Sequence, residues 1–426
     1  MKQVNTMEGV YDPRRLHRAW QQVKSNAGAA GIDAMSVDDF DRRQEHLLDL
    51  IHEKLEAGTY RFKPARRALI PKDGSAGMRK LGIPVVMDRV VGQSVNLELQ
   101  DLFEPDFTPS NFGFRRHHSQ HQAIRHVQDM VAQGYEWCAS IDLKSFFDEI
   151  PHQLIFKLIR RKVADERLLT LIARALKAGV LVDGRVEKSD KGCPQGSPLS
   201  PILSNIVLNE LDQELEKRGH RYCRWADDFL ILVKSERAAR RVLDGTVNYL
   251  ETELGLPVNH DKSQAARVKD VAFVGFQILR GKIRVSNKAR VKFKNKVREL
   301  TRRNNPLSMY QIIQDLNTYL RGWVSYFRAQ QFRKPFIELD GWIRSRLRSM
   351  QLKKWKNPRK FQKMMIKAGF NPQEAAKVWV KMNKWQSVSR KPVRFAMNLK
   401  WFRKKGLIFL CDYIQRQRTF EFQFSR

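Results

Sequence analysis

Apolar runs alternate with helical spacing through most of the chain. In "RYCRWADDFLILVKS" (Arg221–Ser235) a β-rich apolar run is interrupted by two adjacent aspartates, Asp227 and Asp228. Runs of this kind form buried strands, so the pattern predicts a hairpin with two carboxylates at its tip. "EWCASIDLKSFF" (Glu136–Phe147) predicts a strand that enters a turn near Asp142. "YRFKPARRALIPKDGSAGMRKLGIP" predicts two strands around a Gly-rich turn, and "VAFVGFQILRGKIRVS" a hairpin turning at Arg280-Gly281. Helical spacing marks "SVDDFDRRQEHLLDLIHEKLEAG", opening at Ser36 and stopping at Gly58, and "VVMDRVVGQSVNLELQDLF". It also marks "PLSPILSNIVLNELDQELEKRG", where Leu203, Ile206, Val207, Leu211 and Leu215 recur on one face. Strands and helices mix to about residue 286. Beyond it the pattern is helical.

Charge sharpens that division. Residues 281–426 hold 37 Lys+Arg against 7 Asp+Glu, whereas residues 1–280 hold 42 against 38. So strong a local excess of cations suits a polyanion, most simply nucleic acid, because each phosphate contact releases condensed counterions. Six of the nine tryptophans also lie beyond residue 320. Trp323, Trp342, Trp355 and Trp401 are expected to pack helices rather than stack on bases. The length of 426 residues admits two or three domains. The four cysteines are far apart and form no CxxC pair, which argues against a zinc site and a disulfide framework and fits a cytoplasmic protein. The start "MKQVNTMEGV" is too polar for a secretory signal, and no stretch approaches the ~18 apolar residues of a membrane span.

An isolated Asp-Asp pair is more often a tight turn than a site. Two carboxylates at one tip nevertheless repel each other and are costly to bury unless a cation joins them. Mg²⁺ prefers carboxylate oxygens. If the strand ending at Asp142 lies beside the hairpin, three carboxylates converge and can hold two ions for phosphoryl transfer. Such chemistry needs no catalytic histidine. His117, His118 and His121 are expected at the surface or on nucleic acid.

The sequence resembles a family at this point. "RWADDFLIL" resembles the YxDD box of reverse transcriptases, "DLKSFFDEIPH" their preceding aspartate block, and "GCPQGSPLSPILSNI" their PQG block. The bacterial group II intron-encoded reverse transcriptase/maturase family is similar over about residues 25–415. "LIPKDGSAGMRKLGIPVVMDRVVGQ" resembles its fingers block, "FEPDFTPSNFGFRRHHSQHQAI" the following block, and "LNTYLRGWVSYF" its maturase region. The resemblance implies an α+β right-hand polymerase: fingers and an antiparallel palm sheet over residues 1–286, an α-helical thumb/maturase region over 287–360, and a basic nucleic-acid-binding segment over 361–426. It implies RNA-directed DNA polymerisation on an RNA template, from a DNA or RNA primer and dNTPs, with group II intron RNA as a further partner.

Residue by residue, the resemblance makes Asp142, Asp227 and Asp228 the ligands of two Mg²⁺ ions, with Mn²⁺ as a substitute. Lys72 and Arg79 would hold the triphosphate, and Phe147 would be the steric gate against a 2′-hydroxyl. Gln195 would touch the nucleotide, Gly196 would let backbone approach it, and Lys262 would sit nearby. Arg115, Arg344, Arg348, Lys353 and Lys354 are expected on nucleic acid. Three positions depart from the family's pattern: Trp225 for Tyr, Ser197 for Gly and Arg116 for Pro. No CxxC or His-Asn-His pattern follows residue 415, so the endonuclease of longer members is expected to be absent. Two other settings share these blocks: an intron-free repair or phage-defence polymerase, and a splicing factor with a vestigial polymerase.

Overall fold

The apolar runs become strands and helices that other elements cover. The structure is a computed structural model that describes residues 3, 5–71, 77–355, 358–367, 369–373, 375 and 391–414. Strands β1 (Ala65–Pro71) and β2 (Met78–Ile83) pair antiparallel, from Arg66 opposite Ile83 to Pro71 opposite Met78. Further on come β3 (Trp137–Ile141) and two short strands that the pattern does not predict, β4 (Val180–Val182) and β5 (Arg185–Glu187). β4 joins β1 in parallel, which gives a four-stranded sheet of order β2-β1-β4-β5.

The second sheet carries the aspartates. The predicted hairpin forms as β6 (Arg221–Trp225) and β7 (Asp228–Val233), and β8 (Gln264–Arg267) closes the order β6-β7-β3-β8. Every pairing in it is antiparallel, as expected of the palm. Residues 229–233 of β7 are buried on both faces, which is why that run is continuously apolar rather than alternating. The helix Glu236–Asn248 packs across β3, β7 and β8.

The helices follow the predicted spacing with one interruption. Ser36 caps its helix by accepting from the Asp39 N–H while the Asp39 carboxylate takes the Ser36 N–H. That helix stops at Asp41, and a second runs Gln44–Glu56 to the turn at Gly58. The helix Val86–Phe103 is buried on nearly every side, and Pro13–Asn26 packs along it. Ser200–Lys217 forms as the spacing predicts.

The chain divides into two compact units, Met1–Val274 and Gly275–Arg426. The change in packing at residue 275 and the change in composition at residue 286 do not coincide. The reason is the last hairpin, β9 (Phe276–Leu279) and β10 (Lys282–Val285). Its turn residues, Arg280 (φ 51°) and Gly281 (φ 68°), are both left-handed, as a two-residue hairpin turn requires. The side-chain oxygens of Gln331 and Gln330 accept the N–H groups of Ile283 (2.9 Å) and Val285 (2.5 Å). Phe276 packs against Phe327, with ring centroids 5.1 Å apart. The helices Asn287–Leu300, Met309–Tyr326 and Lys334–Lys354 follow. Trp323 is buried between Phe293 (4.3 Å) and Phe336 (6.0 Å), so it is core. No helix among the described residues is long and apolar enough to cross a membrane.

Candidate active site

The β6–β7 hairpin turns through two residues, Ala226 and Asp227. Ala226 adopts a left-handed φ of 57°, a conformation that tight hairpin turns demand of their first central residue. A buried polar network holds the turn in place. Arg224 and Asp212 are both fully buried and paired, with Nε–Oδ1 2.8 Å and Nη2–Oδ2 2.5 Å. Arg224 Nη1 also donates to Asn205 Oδ1 (3.0 Å) and to the turn carbonyl of Ala226 (3.1 Å). Asn205 Nδ2 in turn donates to the Gly113 carbonyl (2.8 Å). Gly113 lies so close to the turn that a Cβ there would stand 2.1 Å from the Ala226 nitrogen.

Asp142 is placed from the other side. Ile141 pairs with Phe229, so one further step of the antiparallel register brings Asp142 to the hairpin's end. Its N–H donates to Ser263 Oγ (3.1 Å), and its carbonyl accepts from Asn259 N–H (2.8 Å). The same loop sets Lys262 Nζ 3.4 Å from Asp142 Oδ2.

Asp142 and Asp227 line one cavity of about 1130 Å³, together with Arg79, Phe147, Gln195, Gly196 and Lys262. Burial raises the Asp227 carboxyl above its ordinary value, and the charge of Asp142 raises it further; Arg79 and Arg224 oppose this. A divalent cation suits the pair, because its charge offsets both the desolvation and the repulsion. Among the described residues, no three His, Cys, Asp or Glu side chains are grouped as a ligand set. Asp228 opens β7 and is exposed. The register that pairs Ile141 with Phe229 sets Asp228 opposite Asp142, next to Asp227 in the turn.

Other expected residues take different places. Lys72 lies outside the described residues. Gly196 (φ 110°) is required by a neighbouring strand: a Cβ there would stand 2.5 Å from the Gly82 carbonyl oxygen. The Arg115 side chain is 8% exposed and donates to Glu104 Oε1 (2.7 Å) and to the carbonyls of Thr108 (2.6 Å) and Asn111 (2.9 Å). Those bonds tie Arg115 to the loop that precedes it. His121 is buried rather than at the surface. Arg116, the departure from the family's Pro, pairs with Asp101 (2.8 Å).

The same separation holds in the second unit. Arg344 and Arg348 are four residues apart and share a helix face; Arg346 lies on another. Arg348 is buried and donates twice to the Met397 carbonyl (3.1 and 2.9 Å). Burial, with Arg344 and Arg394 nearby, pushes its guanidinium down to about 10. Arg348 thus ties its helix to the Met397 carbonyl. Arg344 stacks over Phe409, and Lys354 donates to the carbonyls of Asn305 (3.0 Å) and Leu307. Lys353 remains exposed.

Sequence patterns missed two features of the cavity. Arg89, Gln93, Asn96 and Gln100 form a polar stripe along one side of the helix Val86–Phe103 and line the cavity. Their spacing of four, three and four residues is the signal that could have shown it. The Asp212–Asn205–Arg224 network carried no such signal, because a buried arginine reads like a surface one.

Residues 70–278 match the reverse transcriptase (RNA-dependent DNA polymerase) family, and residues 290–368 match the group II intron maturase-specific domain. The chain is 32% identical over 316 residues to Protein YkfC of Escherichia coli, covering 65% of this chain and 83% of that protein. It is 37% identical over 203 residues to the group II intron-encoded protein LtrA of Lactococcus lactis subsp. cremoris, covering 47% of this chain and 33% of LtrA. A 91 kDa protein in the cob intron of Schizosaccharomyces pombe is 36% identical over 198 residues, covering 46% of this chain and 24% of that protein.

Proposed function

The chain belongs to the family of bacterial group II intron-like reverse transcriptases and maturases, an RNA-directed DNA polymerase family, and on that premise we propose how its residues divide the reaction. cDNA grows on an RNA template at the wall formed by Asp142 and Asp227. The observation that supports this most is the register that sets Asp142 at the end of the clamped hairpin, in the cavity that Asp227 also lines. Asp142, Asp227 and Asp228 would hold Mg²⁺, which when bound supplies activation of the primer 3′-hydroxyl and charge stabilisation at the leaving pyrophosphate.

The remaining residues bind and orient. Arg79, at the start of β2, offers its cation to the triphosphate. Lys262 balances Asp142 at 3.4 Å. Gln195 lines the nucleotide's side of the cavity, and its carbonyl is tied to β2 through Gly82 N–H (2.8 Å). Phe147 stands where a 2′-hydroxyl on the incoming sugar would clash. The primer 3′-oxygen bonds to the α-phosphorus as the bond to pyrophosphate breaks.

Group II intron RNA is the proposed partner of the second unit. Its match to the maturase-specific domain and the cationic excess of residues 281–426 support that. Primer extension by purified protein with Mg²⁺, dNTPs and a primed RNA template tests the polymerase. Splicing of a group II intron RNA with and without the protein tests the maturase. A protein that extends primers but leaves splicing unchanged contradicts the maturase role alone.

A further inference from the structure

Phe114 lines the cavity in a conformation that the stability of the fold does not explain. Its φ is 57°, a left-handed value rare for a bulky residue. Its side chain gains little from burial, since the residue is 44% exposed. Strained, exposed residues of this kind concentrate where function holds them. Both neighbours are immobilised. Gly113 is pressed against the Ala226–Asp227 turn, with its carbonyl held by Asn205, and Arg115 is fixed by three hydrogen bonds. The ring of Phe114 stands edge-on to Phe147, centroids 6.4 Å apart at 72°. Phe146 meets Phe147 as well, at 5.4 Å and 62°.

The backbone of Phe147 is already fixed. It belongs to the short helix Phe146–Glu149, behind a left-handed Ser145 (φ 49°). Its carbonyl accepts the Cys193 N–H (2.6 Å). What remains free is the turn of its ring. Phe146 is buried and limits that turn on one side. Phe114, in the cavity wall, limits it on another.

We propose that Phe114 is a positioning residue for sugar discrimination: it braces the Phe147 ring so that deoxyribonucleoside triphosphates are accepted and ribonucleoside triphosphates are refused. This inference rests on Phe147 being the gate. Without the brace, the Phe147 ring can swing aside and admit a 2′-hydroxyl. The strained backbone then belongs to selectivity rather than to folding.

The test compares incorporation of a dNTP and the matching rNTP, as a ratio of kcat/KM, in four proteins: wild type, Phe114→Asn, Phe147→Ala and the double variant. Asparagine suits a left-handed position, so Phe114→Asn should keep its melting temperature within about 3 °C of wild type. The discrimination ratio should fall about 2- to 10-fold, the effect of one aromatic pair. Phe147→Ala should reduce it further, and adding Phe114→Asn to Phe147→Ala should change nothing more, since coupled residues are not additive. Phe114→Tyr, which keeps a ring, should restore the ratio and serves if the asparagine variant does not fold. Unchanged discrimination in Phe114→Asn beside a relaxed Phe147→Ala overturns the bracing role. An equal further fall in the double variant overturns it too. Unchanged discrimination in Phe147→Ala instead overturns the gate itself, and the brace with it.

Discussion

Asp227 combines burial with a like-charged neighbour, and both raise its carboxyl. The folded chain therefore holds that proton more tightly than the unfolded chain does. The contribution to stability is favourable below the ordinary carboxylate range and is lost as pH rises through the folded value. At neutral pH the ionised group works against the metal-free fold. Asp227→Asn is expected to raise the melting temperature at neutral pH while lowering primer extension at least ~100-fold. Mg²⁺ should stabilise the wild type against heat and stabilise this variant much less, because a ligand of the folded state raises its stability. A melting curve of Asp227→Asn that responds to Mg²⁺ as wild type does would take the cation away from this residue. Asp142 and Asp227 could be read in the sequence because charges ending apolar runs stand out. The greater exposure of Asp228 could not, since two adjacent aspartates look alike in a sequence.

The hairpin as an element depends on groups that look ordinary in the sequence. Removing one partner of a fully buried ion pair leaves the other charge uncompensated, so Arg224→Ala should cost about 3–5 kcal/mol in urea unfolding. An Arg224→Met, Asp212→Leu double variant should lose much less. Equal losses in both would show that the pair itself matters little. Gly113→Ala forces a Cβ against the turn nitrogen. It is expected to reduce kcat at least ~10-fold, because a turn displaced by even 1 Å misplaces Asp227. The major strands were legible as β-rich apolar runs bounded by turn residues, and the long helices because their apolar positions recur every 3.6 residues. β4 and β5 were not, since three-residue strands hold too few residues to show a period. Nor was the break after Asp41, where the cap is visible but the stop is not. The β9–β10 hairpin was seen as an element, yet its packing partner was hidden in Gln330 and Gln331, which carry no apolar signal.

Across the whole molecule, charge composition marks a strongly cationic C-terminal third but not which of its cations are exposed. Cations look alike in a sequence, whereas Arg115 and Arg348 hold backbone carbonyls and Lys353 stays exposed. Lys353→Ala should weaken RNA binding and flatten the dependence of log K on log salt by about one. Arg348→Ala should leave that slope unchanged and cost about 1–3 kcal/mol of stability, as the Met397 carbonyl loses its donor. A flattened slope in Arg348→Ala would return that residue to the nucleic-acid surface. The central claim, that Asp142 and Asp227 form the centre of an RNA-directed DNA polymerase, is tested most directly by primer extension on an RNA template with Mg²⁺ and dNTPs, comparing wild type with Asp142→Ala and Asp227→Ala. Full-length cDNA from wild type and none above background from either folded variant is the predicted result; no cDNA from wild type, or equal cDNA from either variant, contradicts the claim.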